Sequence, residues 1–381
     1  MEKGLQDTSI DGVIISASNV KPGDVATKIK AIRASSSTAE IYFDPEYYAN
    51  FIDKADKYGK LSDYDYFLQP KALSGLASPK TLLNVTKTVL DLQAGWGLKK
   101  LISPSIEIPT FGSAHESYSL SLLNSSIEYV EDSFQDKELY GTILINENAF
   151  NDLSRMADFL DAITRLKGIK GFYIVADRTG STRAFWDNPQ NLAAYMYVIN
   201  ALTLNKKEVI LGYCDGTALL GLAMGAKHAG VGWWQNSTNF TKKRFIKSGG
   251  RRRKQYYSKQ LMNSIYVDGE LSVLVDRGYA DVIANSTKYD KDFSQDPLNE
   301  QWSDEQAILH RWAAMKATAD LVMAELDTGS RLSKLETELK NARIIYRDVS
   351  SQLPGGFDIA TGPSKVDVWL NAINIYRTGV L

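Results

Sequence analysis

The residues best suited to chemistry stand where short apolar runs end. Reading along the chain, the runs close on Ser16 and Asn19, on Asp44, and on Ser103, Ser105 and Glu107. Later runs close on Asn146, Glu147 and Asn148, on Asp177 and Arg178, on Tyr213 and Asp215, and on Gln235 and Asn236. If the runs are parallel strands of one sheet or barrel, these residues share the rim at the strands' C-terminal ends, where barrel active sites lie. Five carboxylates on one rim could transfer protons, steady a developing positive charge or hold a hard divalent cation. Asp44 and Asp177 follow directly on apolar runs and are the preferred catalytic candidates. Asp215, ahead of Gly216-Thr217, also has the form of a helix cap.

A second group follows the seventh run. Lys242, Lys243, Arg244, Lys247, Arg251, Arg252, Arg253 and Lys254 fall within thirteen positions and are interleaved with Phe240, Phe245, Tyr256 and Tyr257. Cations neutralise phosphates and aromatic rings stack on exposed bases, so this mixture suits a nucleic-acid clamp. Trp233 and Trp234 add stacking surface next to Gln235. A basic run with Gly249-Gly250 inside it is equally the pattern of a solvated loop tip.

Other chemistries find no support. His115, His228 and His310 belong to segments too far apart in pattern to share a metal, and no G-x-S-x-G elbow, Walker A sequence or G-x-G-x-x-G after a strand occurs. The single Cys214 excludes an intramolecular disulfide framework and any multi-cysteine metal site. The stretch from Leu211 to Trp234 reads as strand, glycine turn, small-residue helix and strand. Its glycines Gly221 and Gly225 could admit a phosphate or merely allow close packing. No cofactor and no metal is expected.

The elements that would position these groups are eight apolar runs: Gly12–Ser16, Glu40–Phe43, Lys100–Ser103, Tyr140–Ile145, Gly171–Ala176, Glu208–Tyr213, Gly230–Trp234 and Ala280–Ala284. Segments of helical periodicity separate them, such as Val25, Ile29, Ile32 and Leu153, Met156, Phe159, Leu160, Ile163. Pro22, Pro79 and Pro189 sit near helix starts, where a missing N–H costs little. This alternation predicts an α/β fold, a (β/α)8 TIM-like barrel over residues 1–327, with a doubly wound open sheet as the alternative. The basic segment 236–258 would be an insertion. Ser303–Asp327 reads as a long helix opened by a Ser303/Gln306 capping box, and 328–381 as a C-terminal helical appendage.

Composition agrees with a soluble domain of ordinary make-up, with 44% hydrophobic and 23% charged residues. Lys+Arg 44 against Asp+Glu 45 gives a net charge of -1, so bulk charge would not draw the chain to a polyanion; any attraction must be local. No secretory leader and no run of eighteen apolar residues is visible, which predicts a cytoplasmic protein without membrane association.

Several local patterns resemble the tRNA-guanine transglycosylase superfamily, barrels that cut the N-glycosidic bond of a base in nucleic acid. Gly141-Thr-Ile-Leu-Ile-Asn146 is similar to the family's strand ending in a base-contacting Gln, and Gly171 through Gly180 resembles its next strand. Gly212 through Gly230 resembles its glycine turn and Gly-Ala step, and Asp44 stands near its base-recognition Asp, although Pro45-Glu-Tyr-Tyr replaces the family's Ser-Gly-Gly-Phe. Two departures matter. The position of the family's nucleophilic Asp falls near Gly230, which has no carboxylate, and its three-cysteine, one-histidine zinc site cannot form. The resemblance therefore implies hydrolysis rather than base exchange.

The expected function is a base glycosylase acting on nucleic acid, DNA ahead of RNA, in a setting such as phage defence. Asp44 or Asp177 would serve the sugar, and Asn146, Glu147, Tyr213, Asp215, Trp233, Trp234 and Gln235 would contact the substrate. The alternatives are a small-molecule enzyme that binds a phosphate or a divalent metal, and an inactive nucleic-acid-binding barrel.

Overall fold

The computed structural model describes residues 1–179, 186–233, 237–247, 253–285, 287–290 and 302–379. Among these, the strands are β1 (Gly12–Ser16), β2 (Glu40–Asp44), β3 (Lys100–Ile102), β4 (Glu107–Ile108), β5 (Glu138–Asn146), β6 (Gly171–Asp177), β7 (Glu208–Leu211), β8 (His228–Ala229), β9 (Gln255–Ser258) and β10 (Asn263–Tyr266). The α-helices are α1 (Glu2–Gln6), α2 (Pro22–Ser35), α3 (Pro79–Gly95), α4 (Ala114–Ser133), α5 (Leu153–Thr164), α6 (Pro189–Leu204), α7 (Ala218–Ala223), α8 (Ser272–Asp276), α9 (Ala280–Ile283), α10 (Asp304–Met323), α11 (Thr328–Ser350) and α12 (Ser364–Thr378).

The fold is mixed α/β, with parallel strands forming a half-barrel. β1 and β2 pair in parallel, β3, β5, β6, β7 and β8 form a parallel sheet in that order, and β4 adds to β5. β2 lies against β3, and Lys100 Nζ bonds Glu40 Oε2 at 2.7 Å across that junction. The central strands are buried on both faces, as in Leu139–Ile145 and Gly171–Val175, which explains why they read as continuous apolar runs. Glycines admit the tight inter-strand fit: a Cβ on Gly171 would meet the Glu208 carbonyl oxygen at 2.0 Å. Pro22, Pro79 and Pro189 each occupy the first turn of their helix, as their spacing predicts.

Two expected strands are corrected. Ala280–Ile283 is helical as α9, because the five-residue run Ala280–Ala284 is too short for its periodicity to separate strand from helix. The seventh strand is His228–Ala229 rather than Gly230–Trp234. Gly232 stands at φ +68°, outside strand geometry, and its carbonyl accepts from Arg311 Nη2 at 2.7 Å and Trp312 Nε1 at 3.1 Å. These bonds draw the chain toward α10, which begins with the expected Ser303/Gln306 capping box. His228 is accordingly a strand residue. The described strands do not include an eighth barrel strand; residues of α10 stand with β1 and β8 around one cavity. α11 and α12 pack together, and α12 lies on α6. No helix of the described residues is long and apolar enough to cross a membrane.

Candidate active site

The C-terminal ends of β2, β5 and β6, with the start of β4 and the turn after β7, carry two carboxylate centres. In the first, the Asp44 side chain is fully buried, and its Oδ2 accepts three phenol hydroxyls: Tyr48 at 2.9 Å, Tyr173 at 3.0 Å and Tyr213 at 3.1 Å. Its Oδ1 accepts the Glu46 N–H at 2.9 Å. The Tyr213 hydroxyl also lies 3.0 Å from Glu46 Oε1, which Arg244 Nη2 approaches at 3.2 Å. Burial, with the neighbouring Glu46, pushes the Asp44 carboxyl up to about 6, although the hydrogen bonds it accepts oppose that rise. Burial also holds the three phenols well above their ordinary range, so they remain donors. Glu46 (φ +48°) and Tyr213 (φ +55°) are both in the left-handed region, a strained backbone that this network holds in place.

The second centre joins β4, β5 and β6. Asn146 Nδ2 donates to Glu107 Oε1 at 2.9 Å and Asp177 Oδ2 at 3.0 Å, and Lys242 Nζ lies 2.6 Å from Glu107 Oε2 and 3.4 Å from Asp177 Oδ2. Two carboxyl groups therefore share one amide and one ammonium. Asp177 Oδ1 accepts the Thr179 N–H at 2.9 Å and the Thr179 hydroxyl, and Thr179 Oγ1 accepts the Lys242 N–H at 2.7 Å. The two acids diverge. Burial first, then the adjoining Glu107, raises Asp177 to about 6. Burial also pushes Glu107 up, but bonding to Asp177, Lys242 and Asn146 more than offsets it and leaves Glu107 below its ordinary range. A pair of carboxyls driven apart in this way is the usual basis for an acid and a base in one site. Glu107 (17% exposed) and Lys242 (27%) form its open edge; the Asp177 side chain is sealed behind them.

Asn146, expected to read a base, has both ends of its amide engaged, Oδ1 accepting the Asn148 N–H at 3.1 Å. Glu147 and Arg178 are buried together at 3.6 Å, with the guanidinium 5.0 Å from the Trp186 ring centre. Asp215 accepts the Thr217 N–H at 3.0 Å and pairs with Lys365 at 3.1 Å; the N-cap of α7 is Thr217, without a side-chain cap, rather than the expected Asp215. Burial would raise Asp215, but Lys365 leads the groups that bring it below its ordinary range. Trp233 meets Trp312 edge-on at 5.2 Å. Trp234 and Gln235 lie outside the described residues.

The basic segment divides in two. Lys242 and Arg244 turn inward onto the rim acids, which corrects their assignment to phosphate binding: the carboxylates beneath attract them more strongly than solvent. Lys243, Lys247, Arg253 and Lys254 are exposed; Arg253 stacks on Tyr266 at 3.7 Å, and Lys254 Nζ donates to the Trp302 carbonyl at 2.8 Å. Arg251 and Arg252 lie outside the described residues. The aromatic residues between the cations are not a stacking platform. Phe240, Phe245, Tyr256 and Tyr257 are core residues, Phe240 packing edge-on against Tyr48 at 5.2 Å and Tyr213 at 5.4 Å.

Glu107 is the residue that sequence reasoning undervalued. It was visible as a rim acid, but its partnership with Asp177 depends on β4 pairing with β5, a two-residue strand with no periodic signal. No group of His, Cys, Asp and Glu suited to a metal ion occurs among the described residues. No protein-family model matches the chain, and no curated protein matches it.

Proposed function

We propose that the chain is a hydrolase of N-glycosidic bonds that releases a base from nucleic acid, DNA ahead of RNA, with Glu107 and Asp177 as the reacting pair. The observation that carries this reading is the shared hold of Asn146 and Lys242 on two carboxyls of opposite pKa shift. Protonated Asp177, sealed behind Glu107, passes its proton through the Glu107 carboxyl to the departing base nitrogen as the C1′–N bond breaks. Ionised Glu107 takes a proton from the water whose oxygen bonds to C1′. The products are free base and an abasic sugar, and the pair returns to its starting charge once the proton passes from Glu107 to Asp177. Lys242 and Asn146 position both carboxyls. Asp44 anchors the three tyrosines and, through Tyr213 and Glu46, the loop that brings in Lys242.

On this reading the fold is a divergent transglycosylase-like barrel, with α10 covering the gap where the last strand would close it. The exposed Lys243, Lys247, Arg253 and Lys254 support nucleic acid as the substrate. The test is release of a free base and formation of abasic sites from modified and unmodified DNA and RNA. Absence of both products across these substrates would overturn the proposal.

One observation favours a second reading, a small-molecule enzyme. Lys242 and Arg244 are spent on internal pairs, and a cavity of about 730 Å³ lies beside Arg244. A turnover assay on free nucleosides alongside oligonucleotides separates the two: cleavage of nucleosides alone supports the second.

A further inference from the structure

The cavity between β1 and β8 has a volume of about 730 Å³, within the range of small-molecule sites. Its walls are mainly aliphatic, with Val13 from β1, Leu219 and Leu222 from α7, and Met315, Ala319 and Met323 from α10. Unbranched methionines on the α10 wall suit a flexible chain rather than one rigid shape. Polar groups mark the two ends, and the further lining charges Lys316, Lys227 and Glu40 are already paired with Asp320, Glu208 and Lys100. At the rim end Arg244 lines the cavity; its side chain is 8% exposed, and its Nη1 has no hydrogen-bond partner. At the other end, where β8 begins, His228 also lines the cavity, and its buried Nε2 is likewise unpartnered. β1, the five-residue strand along this wall, spans four rises, about 13 Å.

The charge at the rim end chooses between ligands. Arg244 is already paired with Glu46 at 3.2 Å, and Asp44 lies one hydrogen bond further on through Tyr213. A second anion would gain no net charge there, whereas an uncharged acceptor oxygen would satisfy Nη1 without repulsion from either carboxylate. We propose that this cavity is a binding site for a single-chain amphiphile with an uncharged acceptor head, such as an amide, seated against Arg244 with its alkyl chain between β1, α7 and α10. The site is separate from the Glu107–Asp177 pair and does not depend on its chemistry.

The test uses octanamide and octanoate, matched in chain and differing in head charge, titrated calorimetrically into the full chain. The expected result is saturable one-to-one binding of octanamide and at least tenfold weaker binding of octanoate. Ala319→Trp fills the cavity and should abolish binding; Leu222→Phe narrows the opposite wall and should weaken it severalfold, so either variant suffices if the other does not fold. Arg244→Met should weaken octanamide about tenfold while its effect on octanoate is smaller. Absence of saturable octanamide binding would overturn the proposal, as would equal or tighter binding of octanoate, or full affinity in a folded wall variant.

Discussion

At the scale of single residues, the decisive contrast is between two buried aspartates. Both were legible as rim acids because each directly follows an apolar run, yet their partners were not. Asp44 is closed in by three tyrosines drawn from β2's following turn, β6 and the turn after β7, while Asp177 shares donors with Glu107. Nothing in a linear pattern joins residues 107, 146, 177 and 242, which meet only through strand register and the return of the basic loop. Asp177→Asn and Glu107→Gln should each lower base release by about a hundredfold to ten-thousandfold, the usual share of general acid–base catalysis, measured as single-turnover rates. On the proposed mechanism Asp177 must carry its proton, so the rate should fall as pH rises through about 6. Asp44 adds a stability signature. Its native pKa is raised to about 6, above the 3.8 of an ordinary aspartate, so the native state binds its proton more tightly and loses that advantage as pH rises from 3.8 to 6. Relative to Asp44→Asn, the wild-type protein should lose about 2 kcal/mol between pH 4.5 and 7.5 in urea unfolding. A gap that does not change with pH would show that Asp44 titrates normally.

At the scale of elements, the central strands and the long helices were readable, since double-sided burial and 3.6-residue periodicity both leave strong marks. The short pieces were not. β4 and β8 are two residues each and owe their existence to neighbours, and α9 occupies the run expected to be the eighth strand. A small backbone change just past β7 reaches the site through the same close packing. A Cβ on Gly212 would meet the Tyr173 hydroxyl at 2.3 Å, so Gly212→Ala must displace a donor from Asp44. Overpacking of this kind costs about 1–3 kcal/mol. Urea unfolding should show that loss, and tyrosine hydroxyl signals in NMR should shift at Tyr173 first. At the start of α10, Ser303→Ala removes the capping-box oxygen that accepts the Gln306 N–H and should cost about 1 kcal/mol.

At the scale of the whole molecule, near-balanced charge conceals a division of labour among the cations. The basic cluster was conspicuous in the sequence, but its fate depended on the acids it would meet. Lys242 and Arg244 are drawn inward by Glu107, Asp177 and Glu46, and the aromatics between the cations form core, whereas Lys243, Lys247, Arg253 and Lys254 face solvent. If nucleic acid is the substrate, replacing these four exposed cations with Ala should flatten the dependence of log affinity on log salt by up to about 3.6, at about 0.9 for each duplex phosphate the protein no longer neutralises. Arg244→Met should instead act on stability, costing about 3–5 kcal/mol because Glu46 is left buried without its guanidinium. The most direct test of the catalytic reading is mass-spectrometric detection of free base after incubation with modified and unmodified oligonucleotides, comparing wild type with Asp177→Asn. Base release by the wild type, with a loss of at least a hundredfold in the variant at pH 6, is the predicted result. No release by the wild type, or equal release by both, would contradict the assignment of Glu107 and Asp177 as the reacting pair.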